Sequence, residues 1–129
     1  MSSLVENNII EFRSTFQPVL NQDGLLINQD NLVCHEVTDL SLMVLRTSKD
    51  NKKNTSTIKN IFNTEAPETL SVSFNDKGDV FLWISPDEIW ILHSRDNKHK
   101  LLEKLKSLPK GMSMTDSSGA YGIIEFTGN

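Results

Sequence analysis

The stretch of residues 70–93 constrains the fold more than any other part of the chain, because three apolar segments alternate there with two turn sequences. At its start, Leu70, Val72 and Phe74 alternate with polar residues. A period of two predicts a half-buried strand, with the apolar side chains on the core side.

Two further strands are predicted in the rest of this stretch. Residues 80–84 are apolar without interruption, which predicts a strand covered on both faces, and residues 89–92 predict the next strand. Residues 75–78 and 85–87 carry the Asn, Asp, Gly and Pro residues typical of tight turns. We therefore predict a three-strand meander.

Further elements are predicted before the meander. Residues 40–46 form a short apolar run that predicts a strand. Residues 48–55 are polar and predict an exposed loop. Ile58, Ile61 and Phe62 share one helical face, which predicts a short helix after the loop.

A second helix is predicted after the meander. Asp96 is a candidate N-cap, and Pro109 and Gly111 end the helix. Its apolar stripe consists of Leu101, Leu102, Leu105 and Leu108. The lysines on the remaining surface are Lys98, Lys100, Lys104 and Lys106. Two short strands, at residues 112–115 and 121–126, complete the pattern.

This order of elements predicts an α+β fold, with two short helices packed on a mostly antiparallel sheet. The 129 residues fit a single domain spanning residues 1–129. Residues 1–35 are weakly specified, with possible short strands at residues 25–27 and 32–34.

Composition argues against several functional classes. The net charge of −4 gives no broad attraction to nucleic acid or an anionic membrane. No apolar run approaches the roughly 20 residues that span a bilayer, and residues 1–8 do not resemble a signal peptide. Cys34 is the single cysteine, so no intrachain disulfide forms. We expect a cytoplasmic protein.

Four candidate metal ligands match no metal-binding motif: Cys34, His35, His93 and His99. Adjacent residues of a strand point to opposite faces, which separates Cys34 from His35. His93 and His99 lie on either side of a predicted strand-to-helix junction. We therefore expect structural or surface histidines and no metal site.

The search for catalytic residues also gives none. Cys34 has His35 beside it, but sequence adjacency does not place a base against a thiol. The carboxylates of Asp87 and Glu88, like those of Asp76 and Asp79, lie in or beside predicted turns. Turns rarely provide the pocket that acid–base chemistry needs.

Cofactor and ligand contacts are equally weak. Gly119 and Gly122 are too close together for a phosphate loop and open a strand rather than a helix. The lysines of the second helix favour a solvated face over contact with an acidic partner. Trp83 and Trp90 favour core or interface positions over stacking on a ligand.

Three segments in register carry a family resemblance. Residues 83–92, Trp-Ile-Ser-Pro-Asp-Glu-Ile-Trp-Ile-Leu, resemble the Trp-Leu-Gly-Pro-Asp-Glu-Trp signature of the gamma subunit of heterotetrameric sarcosine oxidase. Residues 44–46 are similar to the family's apolar strand ending in Arg. Residues 115–128 are similar to its closing Asp-x-Ser strand pair.

The resemblance covers about residues 38–128, and the chain looks like the first half of the family's length. There are departures. Ser85 replaces the usual Gly, Ile89 is inserted before Trp90, and Tyr121 lies near a usual Arg.

The resemblance implies a fold like the N-terminal half of the glycine-cleavage T protein and related folate-binding proteins. It also implies a non-catalytic subunit, with alpha, beta and delta subunits as partners. The family's complex demethylates sarcosine oxidatively to glycine and hydrogen peroxide and passes the one-carbon unit to tetrahydrofolate. FAD, FMN, NAD and tetrahydrofolate are expected in the partner subunits and none in this chain.

Three alternatives remain open. The chain could be a stand-alone folate-binding or aminomethyltransferase-like protein, with Asp116 or Glu125 anchoring the pterin. It could belong to an N-methylglutamate dehydrogenase-type complex, or be an unrelated small interaction module. A subunit role predicts an exposed apolar surface, formed by the first 35 residues or by an unpaired final strand.

Overall fold

The computed structural model describes residue 14, residues 16–47 and residues 51–128, without the side chains of Asn51 and Leu105. The sequence predictions for residues 1–8 and 48–50, and for the side chain of Leu105, lie outside this part of the chain. The chain divides into two compact units: one comprises residues 39–121, and the other combines residues 1–38 with residues 122–129. The predicted single domain stays a prediction.

Eight strands and two α-helices are present in the described residues. In chain order they are β1 (Ile27–Gln29), β2 (Leu32–Glu36), β3 (Leu40–Arg46), α1 (Asn51–Phe62), β4 (Val72–Phe74), β5 (Val80–Ser85), β6 (Glu88–Ser94), α2 (Lys98–Lys104), β7 (Ser113–Asp116) and β8 (Ile124–Gly128). Short 3-10 helices cover Gln17–Val19, Arg95–Asn97 and Leu105–Ser107.

The strands form two antiparallel sheets. The unit of residues 39–121 contains a five-stranded sheet in the order β4-β5-β6-β3-β7. The other unit contains a three-stranded sheet in the order β1-β2-β8. The predicted α+β class and the meander, β4-β5-β6, are confirmed. The strands are shared between two sheets, a partition that local sequence patterns do not reveal.

The hydrophobic core lies between the two helices and one face of the five-stranded sheet. Its buried members are Met43, Leu45, Ile58, Ile61, Phe81, Ile89, Ile91, Leu101 and Met112. Phe62 packs edge-on against Phe81, with ring centroids 5.0 Å apart. Burying each large side chain of this kind contributes about 1.5–3 kcal/mol. None of the described helices is long and apolar enough to span a membrane.

The predicted loop at residues 48–55 is wrong over residues 51–55, which form the first part of α1. Tertiary contacts stabilise this polar helical segment. The Nζ of Lys53 donates to the carbonyl of Lys110 at 3.0 Å. Thr57 is buried and donates to the carbonyl of Lys53 at 2.8 Å. Polar contacts of this kind leave no apolar period in the sequence.

The apolar stripe of the second helix is only partly confirmed. Leu101 is buried and Leu108 packs against the core, but Leu102 is exposed. The regular helix ends at Lys104 and continues as a 3-10 turn, which rotates the following side chains away from an α-helical stripe.

Candidate functional site

The side of β4 that faces the core is the opposite of the sequence prediction. Ser71 and Ser73 are half-buried, whereas Val72 is 48% and Phe74 66% exposed. The strand itself is confirmed, but its apolar side faces solvent. Both side chains are among the most exposed large apolar side chains of the described residues.

The segment that follows α1 explains the inversion. The hydroxyl of Ser71 donates to the carbonyl of Glu68 at 2.7 Å, and that of Ser73 donates to the carbonyl of Glu65 at 3.3 Å. Ala66, which lies between Glu65 and Glu68 in the chain, packs against the core. These hydrogen bonds hold the two serines on the inner side of β4. The apolar residues are thereby turned outward.

Leu70, just before β4, combines exposure with backbone strain. Its φ is +58°, in the left-handed region that side chains other than Gly and Asn rarely adopt. Its exposed fraction is 84%, so no burial offsets this strain. Such a conformation costs about 1–2 kcal/mol, and strain of this kind often marks a functional position.

Ile84 extends the same exposed area along β5. The ladder between β5 and β6 shifts register between Trp83 and Ser85, so Ile84 lies in a bulge and is 42% exposed. The backbone N–H of Trp83 donates to the carbonyl of Ser71 at 3.1 Å, which places this end of β5 beside Leu70. We call Leu70, Val72, Phe74 and Ile84 the β4 surface.

The β4 surface lies at the edge of its sheet. β4 pairs with β5 on one side, and no described strand pairs with its other side. An edge strand presents free backbone donors and acceptors, and exposed apolar clusters typically mark sites of protein association. These features together identify the β4 surface as the candidate functional site.

The final strand provides a second exposed apolar area, as a subunit role predicts. Ile124 and Phe126 of β8 are both exposed. The expectation that this strand is unpaired is wrong, because β8 pairs with β2. Its remaining edge has no partner strand among the described residues. This area belongs to the smaller unit.

The candidate metal ligands do not come together. Cys34 is buried in β2, and the Nε2 of His35 is 3.5 Å from the Oε1 of Glu125 on the neighbouring strand β8. His93 is buried in β6, whereas His99 is exposed on α2. Within residues 14, 16–47 and 51–128, no group of three His, Cys, Asp or Glu side chains could hold a metal ion.

The carboxylates of the second turn have structural partners. Glu88 receives the Nη1 of Arg46 at 2.7 Å on one oxygen and the indole N–H of Trp90 at 2.6 Å on the other. Asp87 accepts a hydrogen bond from the hydroxyl of Ser85 at 2.8 Å. The Pro-Asp-Glu turn therefore fixes a hairpin and orients a tryptophan.

The first turn is closed by the same type of contact. The side-chain amide of Asn75 donates to Asp79 at 2.8 Å, and its oxygen accepts the backbone N–H groups of Lys77 and Asp79. Asp76 is exposed at the tip of this turn. These contacts give Asp79 a structural role.

Asp116 joins α2 to β7. Its carboxylate pairs with the ammonium of Lys98 and accepts the backbone N–H of Ser118 at 3.0 Å. Burial alone raises the pKa of Asp116, but the hydrogen bonds from Lys98 and Ser118 and the charge of Lys98 outweigh it, and the pKa lies below its ordinary value of 3.8. The hydroxyl of Ser118 in turn accepts the N–H of Leu42 at 2.9 Å. The Asp-x-Ser motif thus ties the end of β7 to β3.

The remaining ligand-contact candidates from the sequence are the lysines of α2, the two tryptophans and the glycines. Lys104 donates to the carbonyl of Ile61 at 3.0 Å, so it caps the end of α1 rather than projecting freely. Trp83 and Trp90 are half-buried, and the ring of Trp90 packs on Tyr121 with centroids 5.0 Å apart. Gly119 lies in a turn.

Comparison with known proteins identifies the fold. No family model matches the sequence, and no curated protein does so either. The structure is similar to a chain of the heterotetrameric sarcosine oxidase from Corynebacterium sp. U-96, solved in complex with pyrrole 2-carboxylate, with a TM-score of 0.69 and 16% sequence identity. The chain shares its fold with that protein. The match covers 89% of this chain and 60% of the length of that one.

Proposed function

We propose that this chain is a non-catalytic subunit of a cytoplasmic, heterotetrameric sarcosine oxidase-type complex and corresponds to its gamma subunit. The complex oxidatively demethylates an N-methyl amino acid and transfers the one-carbon unit to tetrahydrofolate. FAD, FMN, NAD and tetrahydrofolate bind in the alpha, beta and delta subunits. An N-methylglutamate dehydrogenase-type complex would use the chain in the same way.

The β4 surface is the observation that carries this proposal. It combines a strand edge that has no described partner strand with four exposed apolar side chains, one of which is held in a strained conformation. At this edge the hydroxyl of Thr64 donates to the carbonyl of Phe74 at 3.4 Å. Burial of these side chains against a partner would contribute hydrophobic free energy to the association. The fold shared with a chain of a heterotetramer supports the same proposal.

The charges around β4 favour a different protein over a second copy. Glu68, Asp76 and Asp87 are exposed near the β4 surface, and Lys77 is the exposed base in the adjacent turn. The exposed charges near this surface are therefore three acids against one base, so two copies of it would repel each other overall. We therefore propose a partner with an apolar centre and a basic rim.

Co-purification tests this role. The chain is expressed beside the flavin-bearing subunits of a sarcosine oxidase-type complex from the same genome. We expect it to purify with flavin in a fixed stoichiometry. The double variant Val72→Ser/Phe74→Ser should weaken this association about 10- to 100-fold, since a buried interface aromatic typically contributes about 1–3 kcal/mol.

Leu102→Ser is the matched control, because Leu102 is also an exposed apolar residue but lies on α2, on the opposite face of the sheet. This variant should co-purify like the unaltered chain. A chain that runs as a stable monomer and never co-purifies with the flavin-bearing subunits would contradict the proposal.

Tetrahydrofolate binding distinguishes the stand-alone alternative. Asp116 is held by Lys98, and Glu125 lies within ion-pair distance of His35, so neither carboxylate is a free pterin anchor. We expect the fluorescence of Trp83 and Trp90 to stay unchanged when the isolated chain is titrated with tetrahydrofolate to millimolar concentration. A saturable change would favour the folate-binding alternative.

A further inference from the structure

A cavity of about 340 Å³ lies in the unit of residues 39–121, between the end of α1, one side of α2 and the turn joining β4 to β5. Its volume is within the range of pockets that bind small molecules. Apolar contacts come from Ile61, Phe62 and Leu101, and the rest of the lining is polar. This composition suits a small ligand with both an apolar and a polar part.

His93 is the buried polar group of this cavity. It lines the cavity and is 2% exposed. Its Nδ1 is 2.9 Å from the carbonyl oxygen of Ser94, so the Nδ1 carries the proton and donates it to that bond. In the neutral ring the Nε2 is then an acceptor, and it is buried without a hydrogen-bond partner in the described structure.

An unpaired buried acceptor costs free energy unless a donor reaches it. Ser41 lies directly opposite His93 on β3, and its hydroxyl is also buried without a described partner. Two unsatisfied groups therefore adjoin in the core beside the cavity. Because the Nε2 of His93 is buried in this conformation, a ligand hydroxyl or N–H in the cavity would supply the missing donor once the side chains around the ring move aside.

The cavity wall carries positive charge and free amide groups. Lys104 uses one of its three N–H bonds on the carbonyl of Ile61. The ammonium of Lys100 and the amides of Asn60 and Asn97 make no hydrogen bond within the part of the chain that the structure describes, and all four residues line the cavity. Ammonium and amide donors together suit an anionic group of a ligand.

The opposite wall carries two acids and one base. Asp79 lines the cavity, but its carboxylate accepts the amide of Asn75 at 2.8 Å and is held within the turn. Asp76 and Lys77, also in the lining, are an acid and a base at the exposed tip of that turn. No described ion pair joins Lys100 or Lys104 to these acids, and the lining as a whole holds three bases and two acids, an excess of one positive charge.

We propose that this cavity binds a small organic carboxylate that carries a neutral O–H or N–H donor. The carboxylate contacts Lys100 and Lys104, the donor reaches the Nε2 of His93, and the hydrocarbon part packs on Ile61 and Leu101. Inorganic anions such as hydrogen phosphate lack the hydrocarbon part, and an ammonium group beside the two lysines would be repelled. The cavity includes Asp76 and Lys77 of the turn after β4, but none of the four residues of the β4 surface lines it.

NMR of the full-length chain tests the site with a matched pair of probes. Mandelate carries a carboxylate, a hydroxyl and an apolar ring, and phenylacetate lacks only the hydroxyl. Nitrogen-15 spectra of the His93 ring follow the Nε2 directly. We expect a saturable change in the Nε2 shift at millimolar mandelate and affinity at least tenfold weaker for phenylacetate.

A lysine variant tests the anion contact. Lys100→Gln should weaken mandelate binding about three- to tenfold. Lys106→Gln, an equally exposed change outside the cavity lining, should leave it unaltered. Both changes lie at exposed positions and are expected to leave the fold intact.

Two results would overturn the proposal. One is the absence of any saturable Nε2 change up to tens of millimolar mandelate. The other is a free-state spectrum in which the Nε2 of His93 is already hydrogen-bonded to Ser41, since the acceptor would then be satisfied without a ligand.

Discussion

At the scale of single residues, most side chains that suggest chemistry in the sequence turn out to hold the fold together. Glu88 serves Arg46 and Trp90 at once, and Asp116 serves Lys98 and Ser118. The sequence predicts that the turn carboxylates are structural. It does not identify their partners, because those partners lie on other elements.

The pair of Asp116 and Lys98 predicts a pH-dependent contribution to stability. The pKa of Asp116 is lowered in the folded state, so its contribution is present above the unfolded value of about 3.8 and is lost as the pH falls through the lower folded value. Asp116→Asn should reduce the free energy of unfolding at pH 7 by about 0.5–1 kcal/mol, the size of an ion pair partly screened by solvent.

Urea unfolding of both proteins across this pH range measures the effect. The difference between wild type and Asp116→Asn should shrink toward zero in acid. Asp76→Asn, at an exposed turn tip, is the control and should show little difference at any pH. If the stability difference between wild type and Asp116→Asn increased as the pH fell, the pKa of Asp116 would not be lowered by folding.

The backbone strain at Leu70 can be tested by substitution with glycine. Glycine tolerates a φ of +58° without a steric clash, but it gains more entropy on unfolding. Leu70→Gly should therefore leave the free energy of unfolding unchanged or raise it by up to about 1 kcal/mol. Leu102→Gly, at an exposed position inside α2, should lower it by about 1 kcal/mol. Equal losses in both variants would contradict strain at Leu70.

At the scale of elements, β4 shows the limit of periodicity. Alternation in residues 70–75 predicts a strand and two distinct sides, and both are present. Periodicity assumes that the apolar side faces the core. Here the inner side faces backbone carbonyls of the segment after α1, which serines satisfy and apolar side chains do not. The inversion depends on contacts that are not visible in the strand itself.

Two phenylalanines on adjacent strands test the inversion. Phe81 is fully buried in the core and Phe74 is exposed. Phe81→Ala should lower the free energy of unfolding by about 3–5 kcal/mol, whereas Phe74→Ala should lower it by less than about 1 kcal/mol. Denaturant unfolding at neutral pH compares them. Similar large losses would place Phe74 in the core and contradict the exposed β4 surface.

At the scale of the whole molecule, the sequence predicts the features that neighbouring residues determine. The order of strands and helices follows from apolar runs and turn residues, and the α+β class follows from that order. The division into two sheets does not, because β8 pairs with β2, about 90 positions earlier in the chain. The sequence does not predict the cavity at His93 either. In the sequence, His93 is a single histidine in a predicted strand. That its Nε2 is buried without a partner depends on packing.

Hydrogen exchange tests the central claim, that the β4 surface binds the partner subunits. The peptide covering residues 68–75 is compared in the free chain and after addition of the flavin-bearing subunits, with β7, the other edge of the same sheet, as the internal reference. We predict at least about tenfold slower exchange in residues 68–75 on binding, and little change in β7. Protection of β7 with no change in residues 68–75 would contradict the account.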